Sequence, residues 1–299
     1  MSADLADHLL TVLRDATGNP EPAVADKETV VQTEVASLGF ATPTVRTAGG
    51  PDDGLGRAYM VMDRAAGAPL LAGLDGTKAF AQLPRLATTI PETLAVTMAG
   101  LHRLDPEPLR HQLGEHSPVP TSVHGMVEHL RTASQTLGRA DLTGAARWLA
   151  DNPPPAEPDV ICHGDLHPFN LLVDTDGAVT VLDWSAALLG PRAYDVASTA
   201  LTLAEPPLTL PRPVRPVARA AGRMLARRFV RRYQHHSRIT VDPASLRWHQ
   251  GVVCLRALVE VAGRGPDELD RRAGHPWVLS GINFASRVSA LTGVTARPR

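Results

Sequence analysis

The residues best suited to chemistry in this chain lie in one stretch. Cys162-His163-Gly164-Asp165-Leu166-His167-Pro168-Phe169-Asn170 is followed, after two short apolar runs, by Asp183-Trp184. Leu171 to Val173 and Ala178 to Leu182 are those apolar, β-branched runs, and Asp176-Gly177 between them is a strong hairpin signal. An antiparallel hairpin returns the chain to the end where it began. Asn170, just ahead of the first strand, and Asp183, at the close of the second, are therefore expected side by side, with Asp165 on the loop that feeds the first strand. Two carboxylates and a carboxamide oxygen at one hairpin end make a hard, oxygen-rich site. That donor set suits Mg²⁺, which takes one or two carboxylates together with substrate phosphate oxygens. A group with basic character aimed at a hydroxyl would complete a phosphoryl-transfer site. Any one of these side chains alone would read as part of a polar turn; the ordered set is what points to chemistry.

The whole chain bounds what can carry such a site. At 299 residues it has room for one large domain or two modest lobes, each with a core. Hydrophobic residues make up 43% and charged residues 20%, an ordinary globular balance. A formal net charge of −1 recruits neither nucleic acid nor an anionic membrane through global charge. Two cysteines, Cys162 and Cys254, offer neither a disulfide framework nor a metal spacing, so a reduced, cytoplasmic setting is expected. No apolar run approaches the roughly 18 residues of a membrane span, and no membrane partner is expected. The N-terminus, with Asp4 and Asp7, has no basic leader.

The elements that must position the site follow from periodicity. Leu5 to Arg14 is ambiguous between strand and helix. Lys27 to Leu38 predicts a helix with Val30, Val31, Val35 and Leu38 near one face, and Gly39 is a good residue to end it. Thr42 to Arg46 is extended, Gly49 to Gly54 is a hairpin connection, and Arg57 to Met62 is a strand broken by Asp63 to Pro69. Beyond that point helices dominate. They are predicted at Pro91–Leu104, opened by Pro91-Glu92, and at Ser122–Leu137, Asp141–Leu149, Ala193–Leu203, Arg215–His235, Pro243–Ala262 and His275–Leu291. The expected architecture is α+β: a small α/β lobe over residues 1–64 and a larger, mainly helical lobe over 65–299, interrupted by the functional hairpin.

His163-Gly164-Asp165-Leu166-His167-Pro168-Phe169-Asn170 with Leu182-Asp183-Trp184 resembles the catalytic core of the aminoglycoside phosphotransferase and choline kinase-like family. These are small-molecule kinases with a protein-kinase-like, two-lobe fold. Gly190 to Ala197 and Leu101-His102-Arg103-Leu104-Asp105 resemble flanking segments of that family. The resemblance spans roughly residues 9–290 and is strongest over 160–200. It implies Mg²⁺ and ATP or GTP as cosubstrate, with a small-molecule hydroxyl as acceptor. Asp165 is then the catalytic base, His167 lies near the γ-phosphate, and Asn170 and Asp183 hold the metal. His163 braces the loop, and Asp195 buttresses it from the next helix. In the small lobe the resemblance implies Arg14 toward the phosphates, Glu34 as its carboxylate partner, and Met62, Asp63 and Arg64 as the hinge that reads adenine.

The family also places a phosphate-covering hairpin before the basic residue. Only 13 residues precede Arg14, and Gly54-Leu55-Gly56 follows the first helix, so neither supplies it. Two readings stay open: a sequence that begins inside a longer protein, or a nucleotide with little cover. An alternative of another class is a weak or inactive relative that binds a nucleotide, metabolite or protein partner. Zinc at Cys162, His163 and His167 lacks the ligand number such a site requires. The arginine-rich segment Arg215 to Arg238 is read as a solvated helix face, with nucleic-acid or anionic-surface binding as the alternative.

Overall fold

The computed structural model of the protein describes residues 10–11, 22–53, 55–70, 77–114, 117–205, 215–264 and 276–298. In chain order they form β1 (Leu10–Thr11), α1 (Pro22–Ser37), β2 (Val45–Gly49), β3 (Tyr59–Met62), β4 (Ala68–Pro69), α2 (Thr77–Leu101) and α3 (Glu107–Leu113). Then follow α4 (Val123–Thr136), α5 (Ala140–Asp151), β5 (Asp159–Cys162), β6 (Leu171–Val173), β7 (Val179–Val181), β8 (Leu188–Pro191), α6 (Arg192–Ala204), α7 (Arg215–Ser237), α8 (Pro243–Ala262) and α9 (Pro276–Thr292). Small sheets and many helices make this an α+β protein. Two compact units divide the chain: Met1–Thr121 with Val160–Leu189, and Ser122–Asp159 with Gly190–Arg299.

The first unit holds two small antiparallel sheets, ordered β1-β3-β2 and β4-β6-β7. In the first sheet Gly49 faces Tyr59 and Val45 faces Met62, so β2 and β3 form the expected hairpin. Helix α1 packs on it through fully buried Val31 and Val35. Its inner face is unusually polar: Gln32 Nε2 donates to the Pro43 carbonyl at 2.7 Å, which secures the chain just past the helix. Helix α1 ends as predicted at Gly39, whose φ of 80° is the left-handed conformation that glycine adopts cheaply. Gly39 N–H donates to Ala36 and Phe40 N–H to Val35, closing the last turn. Helix α1 begins earlier than the predicted Lys27, at Pro22, a residue suited to a first turn.

The predicted helix start at Pro91 is corrected. Helix α2 begins at Thr77 and carries Pro84 and Pro91 in its interior. Each proline removes one rung of hydrogen bonding, a cost met by burial of Ile90, Leu94, Ala95, Met98, Ala99 and Leu101. Helix α3 and the strands β4, β5 and β8 were not anticipated. They are between two and seven residues long, too short for periodicity to reveal.

The second unit is a helical bundle closed around Leu142, Leu149, Phe229, Tyr233, Val252, Leu255, Leu258 and Val288. Its helix starts are those the sequence signals. The Ser122 side chain accepts from Gly125 N–H at the head of α4, and Asp242 accepts from Ser245 N–H ahead of Pro243 at the head of α8. Cys254 is core: burial pushes its thiol up to about 12. Among the described residues no helix is long and apolar enough to cross a membrane.

A buried histidine makes this bundle sensitive to acid. His249 is 1% exposed, donates from Nδ1 to the Ser245 carbonyl at 2.8 Å, and lies edge-on to Trp248 and Tyr194. Burial lowers its pKa to about 4. The unfolded chain takes up this proton below pH 6.5 and the folded one only near 4, so stability is full above 6.5 and falls as the pH drops through that window. The slope should reach about 1.4 kcal/mol per pH unit, roughly 3 kcal/mol in all. Urea unfolding of the wild type and of His249→Gln across this window checks it: the difference between their slopes should vanish above pH 7, where neither state takes up the proton.

Candidate active site

The hairpin forms in the expected register. Leu171 faces Val181, Leu172 faces Thr180 and Val173 faces Val179. The turn is held by Asp174, whose Oδ1 accepts from Asp176 N–H at 2.9 Å and Ala178 N–H at 2.8 Å, while Gly177 takes a φ of 85°. At the open end, Leu182 N–H donates to the Asn170 carbonyl at 2.9 Å. Asn170 therefore stands opposite Leu182, one residue before Asp183, as the hairpin argument required.

The loop ahead of the hairpin is fastened to the same end. His163 is fully buried; its Nε2 lies 3.1 Å from the Leu182 carbonyl, and Asp165 N–H donates to its Nδ1 at 3.3 Å. An acceptor at Nδ1 and a donor at Nε2 define the neutral imidazole with its proton on Nε2. This ring ties the start of the loop to the residue that follows β7. Gly164 has a φ of 75°, and a Cβ there would stand 2.3 Å from the Ala186 carbonyl oxygen. Asn170 Nδ2 donates to the Asp165 carbonyl at 3.0 Å, which leaves Oδ1 as the oxygen the amide can offer a ligand. The Asp165 side chain remains about a third exposed, at 36%, so it can meet a substrate. His167 Nε2 lies 3.6 Å from Asp165 Oδ2, while His167 Nδ1 is buried without a hydrogen bond.

Asp183 is held in strain. Its φ of 64° is a left-handed conformation that a non-glycine residue adopts only where its surroundings impose it. Ser185 secures it, donating from Oγ at 2.6 Å and from N–H at 3.4 Å to Asp183 Oδ1. Next in sequence, Trp184 is fully buried, 4.8 Å centroid to centroid from His163, and donates from Nε1 to Thr42 Oγ1 at 2.9 Å. Thr42 Oγ1 itself donates to the Val181 carbonyl at 3.0 Å, and Val181 N–H donates to Ala41. The segment after α1 is thus stitched to the hairpin that carries the acidic residues. The hard donor set, Asp183 carboxylate and Asn170 carboxamide oxygen on one hairpin end, fits Mg²⁺.

The other anticipated residues fall in two groups. Glu34, 8% exposed, accepts from Gln112 of α3 and, at 3.3 Å, from Ser37 Oγ. Met62 is buried in β3, its sulfur 3.5 Å from Gln32 Nε2. Asp63 N–H donates to the Thr44 carbonyl, and its carboxylate takes a two-pronged salt bridge from Arg46 at 2.6 and 2.7 Å. That pairing raises the Arg46 pKa. Arg64 is exposed. Arg14 lies outside the described residues, and Asp195 sits in the other compact unit, fully buried in the first turn of α6. Sequence reasoning missed Thr42, Gln112 and Ser185. Ser185 carried a signal, a hydroxyl two residues past an aspartate. Thr42, 142 positions from Trp184, carried none.

The architecture is the protein-kinase-like one found in phosphotransferases. The family model described as "Phosphotransferase enzyme family" matches residues 8–248, and the chain belongs to that family. Solved structures with the same fold include a candidate aminoglycoside phosphotransferase from Ralstonia eutropha JMP134. It has 16% identity and a TM-score of 0.64, with 93% of this chain and 85% of that one covered. A thermostable mutant of aminoglycoside phosphotransferase APH(4)-Ia, in a ternary complex with AMP-PNP and hygromycin B, aligns at 19% identity and a TM-score of 0.55 over 89% and 82%. A choline/ethanolamine kinase family protein from Mesorhizobium loti aligns at 17% identity and a TM-score of 0.51 over 96% and 87%. A search of curated proteins finds no match.

Gly164 offers a direct test of how the loop is held. Gly164→Ala combines a left-handed backbone with a clash against a main-chain carbonyl, so neither side can yield cheaply. The expected loss is roughly 3 kcal/mol of unfolding free energy, measured by chemical denaturation. A loss under about 1 kcal/mol would show that the loop is free to relax.

Proposed function

We propose that this protein transfers the γ-phosphoryl group of ATP or GTP to a hydroxyl of a small molecule, with Mg²⁺ bound by Asn170 and Asp183. The observation that supports the reading is that His163 and Asn170 tie the Asp165 loop to the hairpin end that leads from Leu182 into Asp183. Bound Mg²⁺ would supply charge neutralisation for the nucleotide phosphates. Asp165 orients the acceptor hydroxyl and takes its proton as the oxygen–phosphorus bond forms and the bond to the leaving nucleoside diphosphate breaks. His167, 3.6 Å from the Asp165 carboxylate, steadies that group and faces the transferred phosphoryl. Arg14 serves the phosphates with Glu34 as its carboxylate partner, and the backbone of Met62, Asp63 and Arg64 serves the base. The family membership supports phosphotransfer, and the ternary complex of APH(4)-Ia with AMP-PNP and hygromycin B is a precedent for the pair of ligands.

Asp165→Asn preserves size and packing while removing the base. Turnover should fall by at least about a hundredfold, with the melting temperature unchanged. A panel of hydroxyl-bearing antibiotics and amino alcohols with ATP and GTP provides the assay. Equal turnover by the variant would exclude Asp165 as base. Asp183→Ala should abolish the Mg²⁺-dependent part of nucleotide binding in calorimetry, and intact Mg²⁺-dependent affinity would remove Asp183 from the metal site.

A further inference from the structure

Helix α7 carries a pattern that phosphotransfer does not use. Residues 215–238 contain eight arginines and no aspartate or glutamate. The helix is anchored by its inner face: Ala226, Phe229 and Tyr233 are buried, and a Cβ on Gly222 would stand 2.6 Å from the Leu203 carbonyl of α6. Its opposite face is thereby held outward. On that face Val217 is 69% exposed and Met224 54% exposed, two helical turns apart on one line. At about 100° per residue, Arg223 and Arg227 lie along one edge of this apolar line, Arg228 along the other, and Arg231 extends it. None of these four arginines has an ion pair or hydrogen bond among the described residues. Glu205 is shared by Arg219 at 3.8 Å, Arg287 at 3.6 Å and Asn283 at 2.9 Å.

We propose that the outward face of α7 docks the protein on an anionic lipid bilayer. A helix lying in the bilayer interface needs an apolar line to enter the headgroup region and cations on its flanks to meet the phosphates. Guanidinium forks suit phosphate oxygens, and arginine stems pack along apolar surface while the charge stays at the headgroups. A nucleic-acid backbone would use the arginines but give Val217 and Met224 nothing, which is why the membrane is the better-matched partner. The docking is peripheral, and it stands apart from the net charge of −1 and the absence of a spanning run that led the sequence reading to expect no membrane partner.

The test is sedimentation of the full chain with vesicles. Binding is expected to phosphatidylserine-containing vesicles and not to pure phosphatidylcholine, and to weaken as salt rises. Each arginine near the surface contributes roughly fivefold, so the triple variant Arg223→Glu, Arg227→Glu, Arg231→Glu should lose more than about a hundredfold. Its thermal melt should match wild type, because all three side chains are exposed. Met224→Asp should weaken vesicle binding and leave binding of a fluorescent duplex oligonucleotide unchanged. Equal binding to neutral vesicles, undiminished binding by the triple variant, or tighter binding to the oligonucleotide than to the anionic vesicles would each overturn the proposal.

Discussion

A single neutral imidazole holds the site in register. His163 reaches the carbonyl of Leu182 with one nitrogen and receives the N–H of Asp165 with the other. Fixing both ends of the ring removes the freedom of the loop relative to the hairpin. Every further restraint depends on that distance being short. Gly164 can lie against the Ala186 carbonyl only because the loop is drawn in, and Asn170 can reach the Asp165 carbonyl only because the turn from Pro168 to Asn170 starts from a fixed point. Full burial of His163 beneath Trp184 excludes water from these bonds, where a missing partner would cost most.

The same restraint explains where strain is stored. Asp183 occupies a left-handed backbone conformation with its carboxylate secured by Ser185. An unconstrained chain would relax it. The hairpin on one side and the buried Trp184, bonded to Thr42, on the other prevent relaxation. A carboxylate already fixed in place loses little freedom when it meets a ligand, which is the energetic meaning of preorganisation.

Polar burial does comparable work around α1. Its inner face carries Lys27, Glu28, Gln32 and Glu34 besides Val31 and Val35. Gln32 spans from the helix to Pro43, and Glu34 is held by Gln112 and Ser37. The valines of this face gave the helical signal, while its polar groups each have a partner and make the position of the helix correspondingly specific.

How much of this was legible in the chain depended on range. The hairpin, its acidic end and the glycine that ends α1 were readable because their causes lie within a few residues: a turn dipeptide and a left-handed glycine. So was the family resemblance, which rests on residue types at fixed short spacings from His163 to Trp184. The prolines of α2 misled because burial downstream outweighed a local penalty. The short strands β4, β5 and β8 could not be read because they exist only through partners distant in the chain. The sequence by itself determined the chemistry on offer, two carboxylates and a carboxamide on one hairpin. Only the tertiary structure decided that Thr42 would secure Trp184, that Gln112 would hold Glu34, and that Asp183 would be strained, because each depends on contacts between residues that chain order does not bring together.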